Sequence, residues 1–247
     1  MALDMVMKGE VGVILGRPLV EKQIGMLRIG RYRDLYTIPM FHKSHSLSDE
    51  GTYFIATNPT PGTPVAFVVN AAVSETAGYF LNIKNNDPVG GVNAKRMYLD
   101  YIRLICGVVP ASATSGHCFI KLDNINRYSS GGSIITPVNP NMDSNIASIA
   151  QMYAGALTTV APSPSARSVA RGVLRASIPV VNDECILNFG SVETASSMLI
   201  GGGVARFVVP LPPVIIGAQQ TMGLQLWFPA NSVTPAQFEF EVGWFER

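Results

Sequence analysis

The chain has 247 residues, of which 47% are hydrophobic and only 14% charged, well below the roughly 25% charge of an ordinary soluble domain. That balance excludes a coiled coil or helical bundle, which needs Glu, Lys, Leu and Ala, and it excludes disorder, because aliphatic and aromatic side chains are too abundant. With 18 basic residues against 17 acidic ones, the net charge is +1, so no broad electrostatic pull on nucleic acid is expected.

The first fifty residues differ from the rest. Their alternation is poor, Gly9, Gly12, Gly16, Gly25 and Gly30 loosen them, and their basic residues cluster at Arg17, Lys22, Arg28, Arg31 and Arg33. The pattern predicts an N-terminal arm over residues 1–50 and a single β domain over 51–247, with Ser46–Gly51 as a polar hinge. The candidate assembly contacts in the arm are Ile24, Met26, Leu27, Arg28, Ile29, Arg31 and Arg33. The apolar members would supply most of the binding and the arginines would face an acidic neighbour, because exposed charge pairs add little affinity alone. Removing the arm is expected to leave a folded barrel that no longer docks.

The opening MALDMVMKGE has acidic residues around Lys8 and a short apolar run broken by Gly12. No signal peptide is expected from it. No run approaches the roughly 18 apolar residues of a membrane span, so synthesis in a cytosol and no membrane partner are expected.

From Thr52 onward the dominant period is two. Tyr53–Ala56, Val65–Val69, Tyr79–Ile83, Met97–Cys106, Cys118–Leu122, Cys185–Phe189 and Val204–Val209 read as strands, with breakers such as Asn58-Pro59-Thr60-Pro61-Gly62 and Gly201-Gly202-Gly203 between them. Tyr98–Cys106 is apolar on both faces and is expected to be central, with something covering each side. In Asp143–Leu157 the apolar residues Ile146, Ile149, Ala150, Tyr153 and Leu157 follow helical spacing, so one short inserted helix is predicted at about 143–157. Ala166–Ile178 reads as a strand with Arg171, Val173 and Arg175 outward, because Gly172 and the β-branched residues weaken a helix. Met222, Leu224, Leu226 and Phe228 share one face, as do Phe238, Phe240, Val242 and Trp244, with Glu239 and Glu241 on the solvated side of the last strand. Many short strands with turn signals predict an all-β, jelly-roll-like antiparallel sandwich or barrel.

Chemistry is sparse. Cys106, Cys118 and Cys185 are odd in number and far apart, with no C-x-x-C, and read as small hydrophobes in strands. His42 and His45 are three apart, which puts them on opposite faces of a strand, so no metal is expected. There is no G-x-S-x-G elbow and no phosphate loop after Gly203. Trp244 is in phase with the core. Trp227 is out of phase with Leu224 and Leu226 and is expected to be exposed or at an interface. No catalytic residue, cofactor or metal ligand is predicted, and the chain is not expected to be an enzyme.

The stretches Leu211-Pro212-Pro213-Val214-Ile215-Ile216-Gly217, Leu224-Gln225-Leu226-Trp227-Phe228-Pro229 and Phe238-Glu239-Phe240-Glu241-Val242-Gly243-Trp244-Phe245-Glu246-Arg247 resemble the ending of virion structural proteins of tailed bacteriophages. The resemblance implies a jelly-roll-like domain and a capsid decoration, or cement, protein. Such a protein would be a homotrimer on the capsid exterior, made in the bacterial host cytoplasm and bound to the major capsid protein. The near-zero net charge suits close packing of many copies. The alternatives are a head-fibre, tail or receptor-binding virion component, or a carbohydrate-binding sandwich module.

Overall fold

The computed structural model describes residues 43–66, 74–76, 79–88, 94–110, 116–175, 179–190, 196–201, 203–228 and 236–247. The seven predicted assembly-arm contacts, Ile24, Met26, Leu27, Arg28, Ile29, Arg31 and Arg33, and also His42, lie outside the described residues. Two units are distinguished, Met1–Glu50 and Gly51–Arg247, and each is described by itself.

In the first unit the described part is one helix, α1 (Lys43–Asp49), closed by a hydrogen bond from Glu50 N to Ser46 O at 3.0 Å. The expected polar hinge at Ser46–Gly51 is therefore largely a helical turn. Gly51, at φ +70°, supplies the left-handed residue on which a helix commonly stops.

The second unit has fourteen strands among the described residues: β1 (Tyr53–Thr57), β2 (Val65–Ala66), β3 (Tyr79–Asn85), β4 (Met97–Val108), β5 (Gly116–Asp123), β6 (Tyr128–Ile135), β7 (Ala150–Thr159), β8 (Arg167–Arg175), β9 (Glu184–Phe189), β10 (Ser196–Gly201), β11 (Val204–Leu211), β12 (Ile215–Ile216), β13 (Thr221–Trp227) and β14 (Gln237–Glu246). They form two sheets. The first runs β1-β14-β4-β9-β11-β10, with β2 on β14 and β12 on β4; the second runs β6-β7-β3-β13-β5-β8.

The pairings are nested. β1 pairs β14, β3 pairs β13, β4 pairs β9 and β5 pairs β8, all antiparallel. Folding such a nested set over itself gives β1-β14-β4-β9 facing β3-β13-β5-β8, the strand order of a jelly roll. Two insertions widen it: β6–β7 extends the second sheet beyond β3, and β10–β11 extends the first beyond β9. β11 is parallel to β9, so the first sheet is mixed rather than wholly antiparallel at that end.

The core lies between the sheets and follows the period-two reading. Met222, Leu224, Leu226, Val242 and Trp244 are fully buried, as are Ile102, Leu104, Ile120 and Met152. Phe80 meets Phe238 and Phe240 edge-on at 6.4 and 5.8 Å, and Phe54 stacks with Trp244 at 6.2 Å. β8 is a strand, with Arg171 and Val173 outward. β4 is central, between β14 and β9, but only its inner face is sealed. Its outer residues Tyr98, Tyr101, Arg103 and Ile105 are half-buried.

The helix predicted at about 143–157 is absent; Ala150–Thr159 is strand β7, and the single described helix is α1. The cause is a change of phase. Met152 and Ala154 point inward, then Gly155 at φ +119° bulges the strand, and Leu157 and Thr159 point inward instead. The residues read as one helix face are therefore split between sides: Tyr153 lies on the outer side of β7 and Leu157, after the bulge, on the inner.

Candidate interaction surfaces

The outer face of the first sheet carries a row of ion pairs. Strand register sets Glu241 opposite Arg103 and Arg206 opposite Glu184. Arg103 Nη2 donates to Glu241 at 2.7 Å and Arg103 Nη1 approaches Glu184 at 3.6 Å, while Arg206 Nε donates to Glu184. The Tyr101 hydroxyl donates to the other Glu241 oxygen, and the Tyr53 hydroxyl donates to Asp100 at 2.9 Å. Burial and these carboxylates push both phenols well above the usual tyrosine range. Glu241 is thus a member of a network, not the solvated side chain its strand position suggests. Glu239, two residues earlier on the same face, is half-exposed and makes no ion pair among the described residues. At the end of the sheet Tyr98 stacks on Phe245 at 4.8 Å, with Arg247 over Phe245 at 6.0 Å.

The outer face of the second sheet is aromatic and basic. Trp227 on β13 lies between two residues of β5: His117 at 4.9 Å and Phe119 at 5.1 Å, both stacked. The Arg171 guanidinium, on the neighbouring edge strand β8, lies 5.8 Å from the Trp227 ring. Trp227 is 6% exposed, so the expectation of an exposed tryptophan is corrected: it points outward, yet its own neighbours cover it. Burial, and secondarily Arg171, lower the pKa of His117. Arg167 and Arg171 are exposed on β8 and have no carboxylate partner among the described residues.

A third cluster ties loops to the second sheet. Asp123, at the end of β5, accepts from Arg127 Nη1 at 3.1 Å, from Ser163 N at 3.0 Å and from Ser163 Oγ at 2.5 Å. Arg127 also donates to Glu75 O, and Lys121 pairs with the Glu75 carboxylate. Burial alone would raise the Asp123 pKa, but the Ser163 and Arg127 hydrogen bonds outweigh it and hold the carboxyl below its ordinary value. Every member has a structural partner, which makes the cluster a clamp.

The fourth feature is the connection between β6 and β7. Val138 exchanges two backbone hydrogen bonds with Ile55 on β1, at 2.9 and 2.8 Å. Asn139 Nδ2 donates to Gly51 O at 2.9 Å. The buried Glu246 carboxylate, at the end of β14, accepts from Ser148 Oγ at 2.5 Å, Ile149 N at 3.2 Å and Trp244 Nε1 at 3.0 Å. A loop anchored at three places nevertheless displays apolar side chains: Met142 is 94% exposed, Ile134 at its base 66% and Val138 49%.

Cys106, Cys118 and Cys185 are free and buried. Burial pushes the Cys118 thiol up to about 12 and the Cys185 thiol well upward. His45 is exposed on α1. Among the described residues no three His, Cys, Asp or Glu side chains are grouped to hold a metal ion, and no helix is long and apolar enough to cross a membrane. Sequence reasoning missed Glu246 and the Arg171–Trp227–His117–Phe119 group. The available signals were the outward phase of Trp227 and of Arg171.

Comparison with known proteins gives no matching family model, no matching curated protein and no matching solved structure.

Proposed function

We propose that this protein is a structural virion component that decorates and stabilises a bacteriophage capsid, binding the major capsid protein as a homotrimer on the capsid exterior. The observation that carries this reading is the anchored β6–β7 connection. A loop fixed by Ile55, Gly51 and Glu246 while presenting Met142, Ile134 and Val138 to solvent is a preformed apolar contact, which loses little entropy on docking. The jelly roll supports it at the level of fold analogy, since capsid and lectin domains share that architecture. The stretch that resembles phage virion proteins ends on β14, whose Glu246 holds the loop. The proposed role is mechanical: a rigid, charge-poor domain spreads load between shell subunits through apolar contacts, with residues 1–50 as an assembly arm.

The test is to mix the purified full chain with bare particles and count bound copies. Saturation in proportion to the number of shell subunits supports decoration; a handful of copies per particle points to a fibre or tail component. Met142→Asp should weaken shell binding while leaving the circular dichroism unchanged.

A further inference from the structure

We infer that copies of this chain associate head to tail, with the β8 edge of one copy, centred on Arg171, docking on the outer face of the first sheet of the next, at Glu239. The inference specifies the self-association within the function proposed above.

It starts from two unmatched charges. Arg171 is exposed, and its guanidinium rests beside Trp227, which His117 and Phe119 hold between them. A planar cation backed by clamped aromatic rings is already oriented for a carboxylate. Arg167, on the same edge strand, is exposed and also lacks an acidic partner among the described residues.

On the other sheet, Glu239 has no cation among the described residues, although the two glutamates beside it are both neutralised by Arg103 and Arg206. Register puts Ile105 between Glu239 on β14 and Glu184 on β9. Together with half-buried Ile186, this makes an apolar strip with one spare negative charge. The β8 edge offers the complement, Val173 at 42% exposure with spare positive charge.

Charge also decides the symmetry. A two-fold contact of β8 with β8 would place arginines against arginines, and one of Glu239 with Glu239 would oppose carboxylates. Like charges facing one another across an interface cost several kcal/mol. A heterologous contact pairs opposite charges, and it closes into a ring when the rotation between copies permits.

Sedimentation of the full chain at low and high salt tests this without any capsid. Wild type should associate, more weakly at high salt. Arg171→Glu and Glu239→Arg should each lower the association constant about tenfold or more, and Arg167→Glu should weaken it less. The double variant Arg171→Glu/Glu239→Arg should restore association, because the swapped charges meet across the contact. A wild type that is monomeric at all concentrations, an Arg171→Glu variant that associates normally, or a double variant no better than the singles overturns the inference. Association without shell binding removes the decoration role and keeps this contact; shell binding by a persistent monomer does the reverse.

Discussion

The Trp244 indole N–H donates to the Glu246 carboxylate across 3.0 Å, and both side chains are buried. The same carboxylate receives Ser148 and Ile149 from the β6–β7 connection. One residue near the C-terminus therefore joins the core aromatic to a surface loop. Removing it would leave three donors without their acceptor, at a cost of about 1–3 kcal/mol for each that stays buried. Glu246→Ala should destabilise by about 3–5 kcal/mol in urea unfolding, while Glu246→Gln, which keeps one acceptor oxygen, should lose roughly half as much. Limited proteolysis should then cut the loop around Met142 faster in the alanine variant.

Trp244→Ala should cost about 3–5 kcal/mol, because the ring is fully buried against Phe54. The two outward glutamates of β14 should separate. Glu239→Ala should stay within about 0.5 kcal/mol for unfolding of the single chain, having no ion-pair partner to lose among its own described residues. Glu241→Ala should cost about 1–2 kcal/mol, since Arg103 and Tyr101 both bond to it. Equal effects at 239 and 241 would show that the outer ladder contributes nothing to stability.

The fold was legible where a strand is half-buried and locally regular. β13 and β14 announce themselves through Met222-Leu224-Leu226 and Phe238-Phe240-Val242-Trp244, because alternate burial needs no knowledge of the partner strand. It was illegible where one residue shifts the phase, as Gly155 does in β7. Contacts between distant residues were also beyond reach. Glu246 reads as a polar end residue until its donors, 97 and 98 positions earlier, are placed beside it. Trp227 shows its outward direction in sequence but not its covering, because His117 and Phe119 arrive from another strand. The aromatic–arginine group was therefore half visible, as an odd phase and an outward arginine.

Gly223 on β13 leaves room for the Tyr79 ring: a Cβ there would lie 2.5 Å from Tyr79 Cε1. The Tyr79 hydroxyl accepts from Arg127 at 3.4 Å, and burial raises its pKa to about 12. Gly223→Ala should force the ring off this position and cost about 1–3 kcal/mol as an overpacking strain. Tyrosine absorbance titration should show one phenol fewer ionising above the ordinary range in the variant than in wild type.

The buried thiols give a kinetic readout of opening. Reaction with a disulfide reagent needs thiolate and access, and burial withholds both from Cys118 and Cys185. In native buffer near neutral pH these two should react only as fast as the sandwich opens. In denaturant all three cysteines should react at once. Rapid native labelling of Cys118 would contradict a closed core at β5.

Asp123 should make the protein acid-sensitive. Its folded pKa lies below the ordinary value of 3.8, so the folded state binds its proton less readily than the unfolded chain does. The resulting stabilisation is complete above that ordinary value, and it is lost as pH falls through 3.8 toward the folded pKa. Below that range both states are protonated at this site and its contribution is gone. Asp123→Asn removes the titration but also strips the buried Arg127 of its nearer carboxylate, leaving only the half-exposed Glu75 at 3.9 Å. It should cost about 3–5 kcal/mol at neutral pH, the usual penalty for breaking a buried pair from one side. Urea midpoints measured from pH 7 down to about 3 should fall more steeply below pH 4 in wild type than in the variant, so the two curves converge as the acid titrates. Parallel curves over that range would mean that Asp123 titrates alike in the folded and unfolded chain.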